Sequence, residues 1–411
     1  MNRLIIIPAL LLFSFNAWSK TIRVGNTQII KTIQAALKIA VDGDTILVDA
    51  GHYHEGNLLI QRSISLIGIN HPVLDGDHKY EVVSVKANGV LVDGFTIVHS
   101  GISSIEDIAG IKIYNRHHVT IRNNMLDDTF FGIYAQYGTN CIIRNNILTA
   151  HKENEQQSGN GIHCWKSDSM QIIANTIHGH RDGIYFEFVT HSVIWRNISE
   201  NNLRYGLHFM FSNADSYYSN VFANNGAGVA VMFSKEVTME NNYFEENWGD
   251  GSYGLLLKEI SNSSIVNNRF VKNTIGIFME GASRIYLEKN VFKRNGWAMR
   301  IQASCMEVSV HKNNFLSNTF DVGTNGSLVL NTFTNNYWDK YEGYDLDKDK
   351  LGDIPYRPVS MYAMIIEQNP PAMILFRSFM SSLLDKTEKI LPSLTPEDLK
   401  DDHPFIKPLP L

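Results

Sequence analysis

A repeat of about 22 residues with period-2 alternation inside each unit constrains this chain more than any other feature. The units begin at Gly132, Gly161, Gly183, Gly206, Gly228, Gly254, Gly276 and Ala298, with spacings of 29, 22, 23, 22, 26, 22 and 22 residues. The long first step contains a polar insertion, Lys152 to Ser158. Most units continue into a second apolar run that ends in Asn, as in Cys141-Ile-Ile-Arg-Asn and Val193-Ile-Trp-Arg-Asn. Period-2 alternation selects strands over helices. A strand pair per coil cannot bury its own apolar face, so the coils must stack, and stacked parallel coils make a β-helix. The Asn pairs at positions 123–124, 145–146, 241–242 and 267–268 fit its corners. Asn tolerates left-handed backbone angles, and stacked amides form ladders between coils. The predicted fold is all-β, a right-handed parallel β-helix.

The ends carry different patterns. Residues 1–19 read as a secretory signal: Arg3, an apolar run from Leu4 to Phe15, and the small residues of Ala17-Trp18-Ser19. The solenoid is expected over residues 20–360. Thr32 to Ala40 places apolar residues at helical spacing and predicts a short cap on the first coil, whose strand edges would otherwise be open. Residues 361–411 are expected to form a C-terminal extension. In it, Met373 to Ile390 reads as an amphipathic helix before a Pro-rich tail from Pro392 to Leu411. That extension has no repeat partner, so it is a candidate docking element as well as a cap.

Composition removes several classes. Thirty-six basic and 42 acidic residues give a net charge of −6 without a basic block, which argues against a nucleic-acid partner. Three cysteines cannot frame a disulfide scaffold, and Cys141 and Cys164 fall inside apolar strands as small core residues.

The register separates core from surface. Residues one and three after each Gly are apolar, such as Ile184 and Phe186 or Leu207 and Phe209, and are expected inside. Residues two and four must then face outward: His163 and Trp165, Tyr185 and Glu187, His208 and Met210, Ala230 and Met232. Imidazole with thioethers suits Cu(I), a soft ion that accepts few ligands. His208, Met210 and Met232 are therefore the main copper candidates, with His163 a weaker one. The same face also fits a metal-free protein contact, with Trp165, Tyr185 and Glu187 as partner-binding residues. Asp345, Asp347, Asp349 and Asp353 alternate like a Ca2+ loop but lack its Gly and terminal Glu, so a solvated acidic turn is the favoured reading and Ca2+ the weaker one.

Other blocks carry a resemblance. Thr32-Ile-Gln-Ala-Ala, Gly43-Asp-Thr-Ile and Gly51-His-Tyr resemble the opening of the pectate-lyase-like β-helix superfamily. Gly206-Leu-His-Phe-Met-Phe-Ser, Tyr253-Gly-Leu-Leu-Leu-Lys-Glu-Ile, Asn295-Gly-Trp-Ala, Asn336-Tyr-Trp-Asp-Lys-Tyr-Glu-Gly-Tyr and Gly352-Asp-Ile-Pro-Tyr resemble the NosD family. The resemblance implies a non-enzymatic periplasmic accessory protein for maturing nitrous oxide reductase. It also implies three further partners: the permease and ATPase subunits of an ABC transporter, and a membrane-anchored copper-donor lipoprotein. The competing readings are a metal-free docking scaffold for the reductase and a polysaccharide lyase or hydrolase of the same fold. The enzyme reading needs paired carboxylates on one face; Asp182 and Glu187 are near neighbours in one coil, but outward positions otherwise lack a stacked acid pair.

Overall fold

The computed structural model describes residues 19–411 except 104, 152, 153, 329, 377 and 391–398. The expected secretory signal therefore lies outside the described residues apart from Ser19. So does most of the first half of the Pro-rich tail. Among the described residues no helix is long and apolar enough to cross a membrane.

Three parallel sheets of 14, 12 and 13 strands run the length of the molecule, and each coil gives one strand to each sheet. The eight Gly-led segments all lie in the 12-stranded sheet, as one continuous ladder. Its inward residues are fully buried, Val229 and Leu255 among them. Beyond them, Phe222, Phe244, Phe270, Phe292, Phe315 and Trp338 stack down the core at centroid spacings of 5.6, 4.6, 4.9, 4.9 and 4.0 Å. That spacing tracks the coil rise of about 4.8 Å, so one aromatic per coil fills the core without voids.

The two members of each Asn pair do different work. The first sits in the left-handed region, with φ of 55° at Asn123 and 54° at Asn145. The second points inward and joins a ladder: Asn124, Asn146, Asn175, Asn197, Asn220, Asn242, Asn268, Asn290, Asn313 and Asn336. In each rung the side-chain carbonyl accepts from the backbone N–H of the rung before, as Asn220 does for Asn197 at 2.9 Å. A second ladder runs from Asn202 to Asn318. Buried corner amides that no strand can pair are satisfied this way. The Gly column has another cause: a Cβ on Gly132 or Gly206 would come within 2.5 or 2.7 Å of the next coil's Gly carbonyl oxygen.

Both ends are closed. A helix at Ile33–Ile39 lies over the first coil, capped by the Thr32 hydroxyl. The Glu55 carboxylate accepts from the Ile33 and Gln34 N–H groups at 2.8 Å each and opposes the positive helix end. At the far end, strands stop at Trp338 and two helices follow, Met361–Gln368 and Phe379–Ile390, with a 3₁₀ turn at Pro370–Leu375 between them. The helix expected from Met373 thus starts later, because Pro370 and Pro371 fix a tighter turn, and the Met361–Gln368 helix was not expected. The last residues do not trail away. Asp401 pairs with Phe333 and Phe405 with Tyr337 in parallel bridges across the final coil. The Asp401 carboxylate accepts from Asn335 N, from Asn336 N and Nδ2, and from Trp338 Nε1 at 2.9–3.1 Å. It takes the position that the next Asn would fill and ends the ladder.

Candidate functional site

The outer face of the 12-stranded sheet brings the sequence candidates together, but unevenly. Cα registration pairs His163 with Tyr185, Tyr185 with His208, and Met210 with Met232. His208, Met210 and Met232 therefore occupy two adjacent coils. Trp165, Glu187, Met210, Met232 and Lys258 form one column, and His163, Tyr185, His208 and Ala230 the column beside it.

The His column faces outward from the core yet is covered. Tyr134, His163, Tyr185 and His208 meet ring to ring at 4.6, 4.7 and 4.7 Å, the first two contacts edge-on and the third tilted, with Phe131 and Tyr205 against the flanks. His163 is 8% exposed and His208 6%. The expectation that these imidazoles stand on an open surface is corrected by that covering. Simple alternation puts the residue before each Gly inside. Alternation instead breaks at the Gly: a Cβ on Gly183 would run into the buried Ser199 hydroxyl, so Gly183 faces the core just as Ile184 after it does. Phe131, Asp182 and Tyr205 are thereby turned onto the outer face, where they lie against the imidazoles.

Asp182 sets the electrostatics here. Arg204 donates to it from Nε and Nη2 at 2.8 and 2.6 Å, and His208 Nδ1 lies 3.3 Å from the same carboxylate. Burial opposes ionisation of Asp182, but the hydrogen bonds from Arg204 and His208 and the Arg204 charge outweigh it, holding the carboxyl below its usual range. His163 lacks such a partner, and burial with the nearby Arg181 charge pushes it down to about 3. Burial raises the Tyr185 hydroxyl to about 12. His163 is thus a neutral ring enclosed by aromatic side chains, and His208 is committed to Asp182 through one nitrogen.

Replacing Asp182 by Ala should destabilise the protein by about 3 kcal/mol, the low end for a broken buried pair, because the Arg204 side chain keeps 35% exposure and regains water. The depressed carboxyl makes its contribution present above about pH 3.9 and lost as pH falls through its folded value. Denaturant midpoints of the variant and wild type at pH 7 and pH 3 check both; an equal gap at the two pH values would refute the assignment.

The Met column is different. Met210 and Met232 are half-buried, one coil apart, with Glu187 before them and Lys258 after. Lys258 is held by Glu280 at 3.4 Å. Each Met is followed by an exposed phenylalanine. Phe188, Phe211 and Phe233 are 43, 40 and 41% exposed and stack at 5.1 Å with interplanar angles of 8° and 17°. All three have φ near +53°, where a bulky residue costs roughly 1–2 kcal/mol. The solenoid corner demands that angle in every coil, but it does not demand Phe. Tyr137 and Trp165 extend the aromatic strip. The Phe strip escaped the sequence reading because those residues fall one position past the strand pairs; their 22–23-residue spacing was the available signal.

The Asp-rich turn brings Asp345, Asp347 and Asp349 within 4.8 Å of one another. Asp345 accepts from the Lys348 and Lys350 N–H groups at 2.6 and 3.0 Å, and Asp353 is turned to the Leu346 N–H at 2.7 Å.

The comparisons meet this geometry at the coils that carry the Met pair. Residues 149–343 match a family model described as a periplasmic copper-binding protein. The matching family is NosD. NosD relatives, each called a probable ABC transporter binding protein, occur in Stutzerimonas stutzeri and Pseudomonas aeruginosa. Both are 27% identical, over 380 and 390 residues. The alignments cover 87% of this chain and 86% of the first relative, and 90% of each for the second. Among solved structures, the A-module of Azotobacter vinelandii mannuronan C-5 epimerase AlgE4 is 16% identical, with a TM-score of 0.56 over 74% of this chain and 89% of that one. The Streptomyces thermodiastaticus GH87 alpha-1,3-glucanase is 10% identical, with a TM-score of 0.59 over 75% and 62%. At that identity the likeness to these enzymes is one of fold.

Proposed function

We propose that this chain is an exported periplasmic protein that receives and hands over Cu(I) in partnership with an ABC transporter, and that it performs no catalysis. The observation that carries the reading is the registered pair Met210 and Met232 beside the exposed Phe188, Phe211 and Phe233 strip. Two thioethers on rigid strands give a soft, sparsely coordinated and open site, which suits transfer better than storage. His208 stands on the same strand but is held by Asp182, so its role is secondary, and the covered His163 is further removed. The NosD description as copper-binding and the transporter-binding names of the relatives support the reading. Nitrous oxide reductase as recipient, the permease and ATPase subunits of the transporter, and a lipoprotein as copper donor are what the family resemblance adds. The exposed apolar side chains Ile374, Phe379 and Met380 on the C-terminal helices supply a second surface for the transporter. The acidic turn, if loaded, would take Ca2+ through Asp345, Asp347 and Asp349.

The scaffold reading keeps the Phe strip and drops the metal. Trp165, Tyr185 and Glu187 would then serve the partner alone. The enzyme reading is disfavoured because Arg204 and His208 consume Asp182, the buried carboxylate of this face.

The test is a Cu(I) competition titration with a chromophoric chelator. Met210→Leu and Met232→Leu should each weaken Cu(I) binding at least tenfold with the fold intact. Phe211→Gly should relieve the left-handed strain, leave Cu(I) affinity unchanged and reduce recovery of the transporter complex. Wild-type Cu(I) affinity in both Met variants would leave the face as a docking surface only.

A further inference from the structure

Away from the Met pair, the N-terminal coils gather histidines and aspartates along one edge of the 13-stranded sheet. We propose that this edge is a two-lobed site for a borderline divalent cation of the Zn2+ type, with His52, His54 and Asp75 in one lobe and His78, His99 and Asp128 in the other. The ligand atoms within each lobe lie within 4.8 Å of one another.

The lobes are joined. His52 Nε2 lies 2.9 Å from Asp75 Oδ2, and His99 Nδ1 lies 3.1 Å from Asp75 Oδ1. One buried carboxylate, 5% exposed, therefore serves two imidazoles from different coils. Burial opposes its ionisation, but the Asp77 N–H and the two imidazoles outweigh burial and hold Asp75 below its usual range. The His52 and His54 rings stack at 4.3 Å, and those of His78 and His99 meet at 4.5 Å. Each lobe thus brings two imidazoles and one carboxylate together, and in the first lobe His54 Nδ1 also lies 2.7 Å from Asp77 Oδ1, which leaves its other ring nitrogen for a cation.

Single His–acid pairs recur elsewhere on the solenoid: His151 with Asp127, His191 with Asp168, and His178 with Glu200. Those are one-to-one and need no ion. Among the described residues, the His-containing groups of three are confined to residues 52–128. The donor set is N2O, which suits Zn(II) or Cu(II) rather than the Cu(I) of a thioether pair. Tetrahedral Zn(II) with bonds of about 2.0–2.1 Å places its ligand atoms roughly 3.3 Å apart, which falls inside the 4.8 Å span of each lobe. The edge lies on another sheet, and Asp75 is five coils from the Glu200 strand that precedes Met210, so about 24 Å along the stack. The two sites would load independently.

The test uses the untagged mature protein and ZnCl2 in a chelator competition, with Co2+ absorption as a second readout. His52→Gln/His54→Gln and His78→Gln/His99→Gln are the variants; the His52, His54 and His99 side chains are 52, 51 and 41% exposed, so the fold should survive. Wild type should bind Zn2+ and give tetrahedral Co2+ bands. Each double variant should lose affinity by more than the roughly 10–100-fold that outer-shell changes cost, while Cu(I) binding at the Met pair stays unchanged. Zn2+ binding equal in wild type and both variants, or absent in wild type, would overturn the proposal.

Discussion

Asp215→Asn should stabilise the protein strongly at pH 8 and hardly at all near pH 4. Asp215 sits in a corner column with Cys141, Met170, Ser192 and Val237, all buried. Its Oδ1 accepts from the Ser192 N–H at 2.8 Å, while its Oδ2 is buried without a partner. Burial dominates and pushes the carboxyl up to about 8, with the Asp168 charge adding and the Ser192 N–H opposing. The native state therefore keeps a proton that the unfolded chain releases near 3.8. Stability must fall as pH rises through the window between those values. At about 1.36 kcal/mol per pH unit, a window of about four units amounts to roughly 5 kcal/mol at its upper end. Asn keeps the acceptor for Ser192 and titrates nowhere. Unfolding midpoints measured from pH 4 to pH 8 should diverge steadily between the two proteins. Parallel curves would show that Asp215 does not hold its proton.

The second large effect separates the two members of an Asn pair. Asn268 is buried; its carbonyl accepts from Asn242 N and Nδ2 at 2.8 and 3.0 Å, and its amide donates to Met239 O, Val266 O and Asn290 Oδ1 at 2.9–3.1 Å. Asn268→Ala strands the Asn242 N–H and several carbonyl groups in a dry corner. At about 1–3 kcal/mol for each unsatisfied group, the expected loss is about 4 kcal/mol. Asn267, one residue earlier, is exposed with φ of 55°. Asn267→Ala should cost only about 1 kcal/mol, the left-handed penalty for a residue with a Cβ, and Asn267→Gly almost nothing. Equal losses at 267 and 268 in denaturant unfolding would mean that the amide ladder contributes little.

That contrast also explains what could be read in the chain beforehand. Periodicity finds features that recur in every coil: the Gly column against a neighbouring carbonyl, the left-handed first Asn, the ladder-forming second Asn and the inward alternation at Val229 or Leu255. It also brought His208, Met210 and Met232 onto one face. It missed what breaks the period. Gly183 and Ile184 both face the core, which leaves Asp182 on the outer side, and no alternation rule contains such a break. The Arg204 clamp on Asp182 depends on that placement. His52, His54, Asp75 and His99 precede the regular repeat, so no column aligned them until the coils were stacked. The covering of His163 and His208 comes from rings such as Phe131 and Tyr205, whose reach follows from packing rather than position.

Asp401 caps a ladder that began at Asn124, and this fixes an order of events. During synthesis the first coils emerge long before residue 401 exists. Every coil from the helix at Ile33–Ile39 onward can dock on its predecessor as it appears. The last one cannot be finished, since the acceptors for Asn335, Asn336 and Trp338 lie more than 60 residues downstream. Until those residues arrive, the growing end is a bare strand edge that can recruit another chain. The closing carboxylate thus acts as a completion check: chains released early, or clipped between the helices, would be solenoids with an adhesive end.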